Sequence, residues 1–294
     1  MEIIPKIAQM VFGSSTVQEW LSRNSNDDTL GMSNIKEFMA VQHKENLSRM
    51  LMIDAEAAAS GASGNYAGST NWESLDRIIS SDSEEDALGG AHADWYDPWD
   101  KLDRDDSDTY DAVVRSASGE IGTNGPLTQS NTRRFFRDVL KSGGKYGDVV
   151  LTSHDVVAEI QEIFDTQVRY RLGEKVVELD VNGVRTFSGH NVGLQVAALY
   201  GVPIIGTKDS ARNANDADEV GRMFMLDTSD PESFGQPRLG IGIARPTTYR
   251  EIGSGTPYYP FYTNRFNERG LYYTFGETIC VRYNGQGKMR DIEI

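Results

Sequence analysis

Asn131-Thr-Arg-Arg-Phe-Phe-Arg-Asp-Val-Leu-Lys141, followed by Gly143-Gly144 and Asp148-Val-Val-Leu-Thr-Ser153, opens the stretch from which the rest of the chain is read. Phe135, Phe136, Val139 and Leu140 fall at i, i+1, i+4 and i+5, one apolar stripe on a 3.6-residue period, and predict a helix over 129–142. Gly143-Gly144 should end it, because glycine accepts the left-handed conformation past a helix end at little cost. Asp148–Ser153 reads as a short buried strand. Ser153 then caps a second helix over 154–165 by accepting a backbone N–H, with Val156, Val157, Ile160 and Phe164 on its inner face. The stretch closes with Val196-Ala-Ala-Leu-Tyr-Gly-Val-Pro-Ile-Ile205, two apolar runs broken by Gly201 and by Pro203, which cannot donate to a sheet ladder.

Working outward, the 294-residue chain is long enough to bury a sizeable core in one large domain or two smaller ones. Its 29 glycines imply many turns. No apolar run approaches the ~20 residues that span a bilayer as a helix. The start, Met1-Glu-Ile-Ile-Pro-Lys, has no basic-then-apolar signal pattern. The formal charge of −15 repels phosphate and disfavours nucleic-acid binding through counterion release. Cys280 is the single cysteine, so no disulfide forms within one chain. It lies in the strand pattern Glu277-Thr-Ile-Cys-Val-Arg-Tyr283. There it reads as a buried structural thiol, with one face of the strand carrying Ile279 and Val281 and both faces covered.

Ahead of the organising stretch, residues 1–32 are polar and mixed, with Val11, Phe12, Val17, Trp20 and Leu21 too irregularly placed to be buried within one chain. Ser33 reads as the cap of a long helix over 34–59, with Ile35, Phe38, Met39, Leu47, Met50 and Leu51 at helical spacing and an alanine-rich end. His43 falls among Gln, Lys and Glu and reads as solvated. A Gly/Ser loop follows at 60–68, then Asn71-Trp-Glu-Ser-Leu-Asp-Arg-Ile-Ile79. Asp82 to Asp111 carries twelve Asp and Glu against Lys101 and Arg104. It reads as a solvated acidic surface loop, dispensable for the core. Asp103-x-Asp105-x-Ser107 begins like an EF-hand, but Asp108 stands where glycine is needed and Val114 where the bidentate Glu belongs. A looser Ca²⁺ or Na⁺ site is the alternative there. After Ile205 come a polar loop with Lys208, Asp209 and Arg212, then strands at 222–227, 239–244, 271–283 and 288–294.

Little in the chain points to catalysis. Ser153-His154-Asp155 holds the residue types of a hydrolase triad, but consecutive side chains splay apart where a triad must converge. His43, His92, His154 and His190 have no metal-ligand spacing, and Gly240-x-Gly242 lacks the third glycine and the helix of a dinucleotide fingerprint. No cofactor and no catalytic residue is expected. A soluble hydrolase is the remote alternative.

The order of these pieces resembles the major capsid proteins of tailed bacteriophages and archaeal tailed viruses, the Hong Kong 97-type fold. The resembling parts are the helix, Gly-Gly turn, strand and capped helix at 129–165, and Tyr200-Gly-Val-Pro-Ile-Ile205. Flanking them are the long helix, the Gly-rich loop leading to Trp72-x-x-Leu75-x-x-Ile78-Ile79, and a final strand pair with Glu277 inside. Ser74 departs from the family's usual glycine, and 80–115 has no counterpart. The resemblance implies an α+β fold with a long spine helix. It implies an N-terminal arm at 1–32, a peripheral domain from 33–68 and 256–294, and an axial domain from 69–255 carrying the acidic loop at 80–115. Only the short segment 1–32 precedes the helix, so the family's arm and hairpin loop are expected to be reduced, or the chain to start at an internal Met.

The implied function is a structural subunit self-assembling, as hexamers and pentamers, into an icosahedral shell around double-stranded DNA, in the virion. No membrane and no sequence-specific DNA contact is implied. Scaffolding, portal and decoration proteins are the further partners. Val17, Trp20, Leu21, Lys208, Asp209 and Arg212 are the expected subunit contacts. An encapsulin-type nanocompartment shell, of the same fold, is the alternative.

Overall fold

The computed structural model describes residues 6–15, 32–53, 72–89, 104, 110–165, 175–177, 194–196, 198–209, 220–229, 237–252 and 267–294. In chain order the elements are β1 (Lys6–Ser15), α1 (Met32–Met52), the short helices α2 (Leu75–Ile78) and α3 (Asp82–Glu84) with a π-turn at Glu85–Gly89, β2 (Val113–Ser116), β3 (Gly125–Pro126), α4 (Gln129–Gly143), β4 (Val149–Thr152) and α5 (His154–Asp165). Then follow β5 (Lys175–Val177), β6 (Leu194–Val196), β7 (Ala198–Leu199), β8 (Val202–Gly206), β9 (Val220–Leu226), β10 (Leu239–Ile252), β11 (Asn267–Cys280) and β12 (Gly287–Glu293). The chain divides into two compact units. One comprises Met1–Leu51, Ser69–Trp72 and Ile241–Thr278; the other comprises Met52–Gly68, Glu73–Gly240 and Ile279–Ile294.

The first unit holds a three-stranded sheet in the order β1-β11-β10. β1 runs antiparallel to β11 over its whole length, from Lys6 opposite Gly276 to Ser15 opposite Asn267. Strand alternation turns Ala8 and Phe12 inward, where both are buried, and Ile7 and Val11 outward. Phe12 stacks on Tyr272 and Tyr249 with centroids 5.6 and 6.2 Å away, and Trp72 Nε1 donates to the Lys6 carbonyl at 3.3 Å. Gly270 makes room for this cluster, since a Cβ there would lie 2.7 Å from the Phe12 and Tyr249 rings. The expectation that Phe12 finds no place within one chain is therefore corrected, while Val11 is exposed as expected. Ladder hydrogen bonds to β11 order the segment, and that partner lies near the opposite end of the chain, beyond the reach of local pattern. Helix α1 is described from Met32, so Ser33, expected just ahead of it, lies within its range. Its expected apolar stripe is only partly used: Ile35, Met39, Leu47, Met50 and Leu51 are partly buried, while Phe38 is 62% exposed. The expected continuation of the helix past residue 53 lies outside the described residues.

The second unit is built on a seven-stranded sheet in the order β2-β12-β9-β4-β8-β7, with β3 beside β12. It is mixed: β12 pairs parallel with β2 and β3, and β4 with β8, while β9 is antiparallel to both β12 and β4. The residues of the organising stretch take their expected places. Thr128 caps α4 by accepting from the Asn131 N–H at 3.2 Å, and Gly144 ends it at φ 76° with its N–H bonded to the Leu140 carbonyl. Arg282 adds a second stop, donating to the Gly143 carbonyl at 3.0 Å. Ser153 accepts from the Val156 N–H at 3.3 Å and starts α5. Phe135, Phe136 and Val139 of α4 and Val156 and Ile160 of α5 close one core with Val150, Val202, Ile204, Met223, Met225, Met289 and Ile292 of the sheet. Gly287 lets α4 lie close, since a Cβ there would meet Val139 at 2.5 Å.

The break between β7 and β8 falls at Tyr200 and Gly201 alone, both at positive φ (53° and 80°), as a tight two-residue hairpin requires. Pro203 does not break β8, contrary to expectation. β4 pairs with β8 only from Ile204 onward, so the missing N–H interrupts no bond on that side.

The opposite face of β9 and β12 carries charge. Lys288 and Arg290 alternate with Gly287 and Met289, and Arg222 alternates with Met223. All three cations are buried. Residues 73–84 supply the anions: Arg222 reaches Asp76 at 2.5 Å, Lys288 reaches Asp76 at 3.2 Å and Glu84 at 2.6 Å, and Arg290 reaches Glu84 at 2.5 Å. Arg290 also pairs with Asp291 at 3.0 Å. Asp291 sits at φ 58°, a left-handed conformation that Asp tolerates, where the β9–β12 register shifts.

The solvated loop expected at 80–115 is corrected at residues 80–89, 104 and 110–115, while residues 90–103 and 105–109 lie outside the described residues. Ser81, Glu84, Glu85, Arg104 and Ala112 are buried, and Val113–Ser116 is a sheet strand. Arg104 donates to the carbonyls of Arg77 (3.1 Å), Ile78 (3.0 Å) and Tyr110, and its guanidinium lies over the Tyr283 ring. Acidic density read as solvation because its counter-ions stand far along the chain, on β9 and β12. The grouping of 256–294 with the long helix also shifts, since β12 belongs to the sheet of the second unit.

Candidate functional site

Ser153 is buried and spent on its cap, and His154 beside it is exposed, so Ser153-His154-Asp155 makes no triad. Among the described residues no group of three or more His, Cys, Asp or Glu could hold a metal ion. Asp103, Asp105, Ser107 and Asp108 of the considered cation loop lie outside the described residues. No described helix is long and apolar enough to cross a membrane.

Sequence reasoning misplaced His43. It is buried and not solvated, its Nε2 lies 2.8 Å from Thr274 Oγ1, and its ring stacks on Tyr272. Thr274 in turn lies 2.8 Å from Thr247 Oγ1. Burial holds the imidazole pKa below its ordinary 6.5. A lone histidine on a polar helix segment gave no signal for this, since its partners are on β10 and β11.

Asp227, just past β9, is a second polar knot. Burial would raise its pKa, but hydrogen bonds from Lys145, Ser229 and Arg238 outweigh that and bring it to about 2. Lys145 stands 2.7 Å away and Arg238 pairs with the other oxygen. Cys280 is fully buried as expected, and desolvation pushes its thiol up to about 12, out of reach of nucleophilic use. Its neighbour Val281 is 62% exposed, so one face of that strand end is open and not covered as expected. These groups are satisfied structural pairs.

Of the expected contact residues, Val17, Trp20, Leu21 and Arg212 lie outside the described residues. Lys208 is exposed after β8, and Asp209 beside it donates its N–H to Thr207 Oγ1 at 3.2 Å. The exposed side chains that sequence reasoning missed are apolar: Ile7 on β1 beside the expected Val11, Phe38 and Val41 on α1, and Ile241 and Ile243 on β10. The signal that could have found the first pair is the alternation of 6, 8, 10, 12 against 7, 9, 11 once β1 is known to be a strand.

With no catalytic constellation among the described residues, the fold itself becomes the informative feature. No family model and no curated protein matches the chain. Solved structures do. The capsid of Myoviridae phage XM1 aligns over 99% of this chain and 74% of its own at 9% identity and a TM-score of 0.51. The capsid of an empty GTA particle aligns over 98% and 74% at 9% identity and a TM-score of 0.52. The chain has the Hong Kong 97-type capsid fold. The holo-SrpI encapsulin complex from Synechococcus elongatus PCC 7942 also aligns, over 100% and 76% at 9% identity, with a TM-score of 0.48. The Hong Kong 97-type fold accounts for the long helix α1, the strands β10 and β11 beside it in the chain's division, and the helix-flanked sheet of the second unit.

Proposed function

We propose that this chain is a shell subunit, the major capsid protein of a tailed virus, assembling as hexamers and pentamers into an icosahedral container for double-stranded DNA in the virion. The single observation that supports this is the fold, aligned over nearly the whole chain with two viral-type capsids. The unit containing α1 is then the peripheral domain and the sheet-and-helix unit the axial domain. Val17, Trp20, Leu21, Lys208, Asp209 and Arg212 are carried as subunit contacts. The charge of −15 suits a wall that does not adhere to the genome it encloses. Affinity comes from many weak contacts summed over a lattice. Scaffolding, portal and decoration proteins are the partners such a shell calls for.

The test is electron microscopy and light scattering of the full expressed chain across salt and pH. Closed particles are expected. Monomers under every condition would end the reading, and particles from the native source that hold an enzyme in place of nuclease-protected DNA would move it to an encapsulin.

A further inference from the structure

We infer that the outward face of α4 is a phosphate-binding surface, through which the subunit meets the backbone of duplex DNA without regard to sequence. Resting on the shell reading, this assigns which face of the wall is turned to its contents. Arg133, Arg137 and Lys141 recur at i, i+4 and i+8, and Arg134 stands beside them. At ~3.6 residues per turn all four fall within about 100° of the helix circumference. All four are exposed, and the remaining residue of that arc, Ser130, is exposed too. Phe135, Phe136 and Val139 take the other side of the helix and are spent on the core.

The local charge reverses the sign of the chain. Asp138 is the one acid of α4 and lies at the flank of the arc. It is held by Arg115 of β2 at 2.8 Å and by Arg137 at 3.6 Å. Arg133, Arg134 and Lys141 form no ion pair among the described residues. The helix dipole accounts for Lys141 in the last turn, but not for the three arginines farther back. Solubility does not account for them either, since a chain at −15 already repels its copies and each added cation lowers that charge.

The chemistry of the arc selects the occupant. A protein partner needs an aromatic or aliphatic anchor at the centre of its contact, and a membrane surface needs an apolar face to enter. The arc offers neither. A phosphate backbone asks only for cations along a line, and the planar fork of arginine fits it. Arg133 to Lys141 spans about 12 Å, and a duplex presents one charge per ~1.7 Å of its axis, so about seven phosphates face four cations. The rest of the chain repels phosphate, which confines the contact to this face. It is weak for one subunit and adds up over a lattice whose copies all turn α4 the same way.

The test compares the full chain with the variant Arg133→Gln/Arg134→Gln/Arg137→Gln/Lys141→Gln. Folding is read by circular dichroism, particles by electron microscopy, and binding of a short duplex of arbitrary sequence by fluorescence anisotropy across a salt series. The parent should bind at low salt, with log K falling against log salt at a slope of about −3.6, ~0.9 for each of four cations. The variant should fold and lose at least tenfold in affinity, with the slope near zero. A second duplex sequence should bind equally. If particles form while parent and variant bind alike, or neither binds, the phosphate surface is overturned and the shell reading stands. If no particles form under any condition but the binding and its loss are seen, the surface stands and the shell reading falls. Polyglutamate binding as tightly as the duplex would give the face to an acidic protein segment and overturn the assignment. Should the fourfold variant unfold, Arg133→Gln/Lys141→Gln decides, by whether the slope drops by about 1.8.

Discussion

The two faces of β9 and β12 solve the same problem in opposite ways. One face carries Met223, Met225, Met289 and Ile292 under α4 and α5, dry and apolar. The other carries Arg222, Lys288 and Arg290 under residues 73–84, equally buried, with Phe224 between the charges opposite Lys288. Hydrophobic burial stabilises the first face by roughly 25 cal/mol per Å² and is indifferent to small sliding of the strands. The second gains little net energy, because the attraction of buried ions is offset by the cost of stripping their water. It is directional, however. Arg222, Lys288 and Arg290 balance Asp76, Glu84 and Asp291, and a shift of one residue would turn the cations into the apolar core. The comparison teaches that one face supplies adhesion and the other fixes register.

The largest expected effect tests whether the charged face is as dry as it is drawn. Glu84→Ala leaves Lys288 and Arg290 with an uncompensated buried charge and should cost about 3–5 kcal/mol in urea unfolding. A cost below about 1 kcal/mol would mean that water reaches the cluster and that the contrast between faces fails. On the apolar side, Met225→Ala should cost about 2–5 kcal/mol, through lost transfer energy and the cavity left under α4. The double variant Glu84→Leu/Arg290→Met removes one ion of each sign and keeps Asp76 with Lys288 and Arg222. It should sit within about 1 kcal/mol of the parent, far from the single variant, because a well-packed apolar pair replaces an ion pair at little cost. A double variant as unstable as Glu84→Ala would assign real net energy to the charges.

The smallest effect is at the rim, where Asp227 has a pKa held at about 2, against an ordinary carboxylate value of 3.8. A depressed folded-state pKa contributes stability that is present above the unfolded value and lost as pH falls through the folded one. The parent should therefore lose stability between about pH 4 and pH 2 more steeply than Asp227→Asn. Equal slopes would remove Asp227 from the acid response.

Much of the apolar face was legible in the sequence, because its signals are local. Phe135, Phe136 and Val139 lie within one helical turn and a half, Gly144 closes that helix, and Ser153 caps the next. The charged face was not legible. Lys288-Met-Arg-Asp-Ile-Glu reads only as a final strand, Asp76 draws no charge reading at all, and Glu84 reads as part of a solvated acidic loop. Only the fold brings them together, from opposite ends of the chain. His43 failed for the same reason, since Thr274 and Tyr272 are equally remote. β1 was missed because Lys6-Ile-Ala-Gln-Met-Val-Phe12 lacks a polar-apolar alternation. Its outward side carries Ile7 and Val11 around Gln9, which the reading of 1–32 as a polar and mixed arm did not distinguish from absence of pattern.

The placement of β12 has a consequence in time. This strand follows in the chain every element it pairs with, β2, β3 and β9 alike. During synthesis the helices α2 and α3 emerge with Asp76 and Glu84 long before Lys288 and Arg290 exist. Until then Glu84 lacks Lys288 and Arg290, Asp76 has Arg222 of β9 but lacks Lys288, and β9 is paired on its β4 side but not on the side of β12. Closure of the second unit is therefore deferred to the arrival of the last strand.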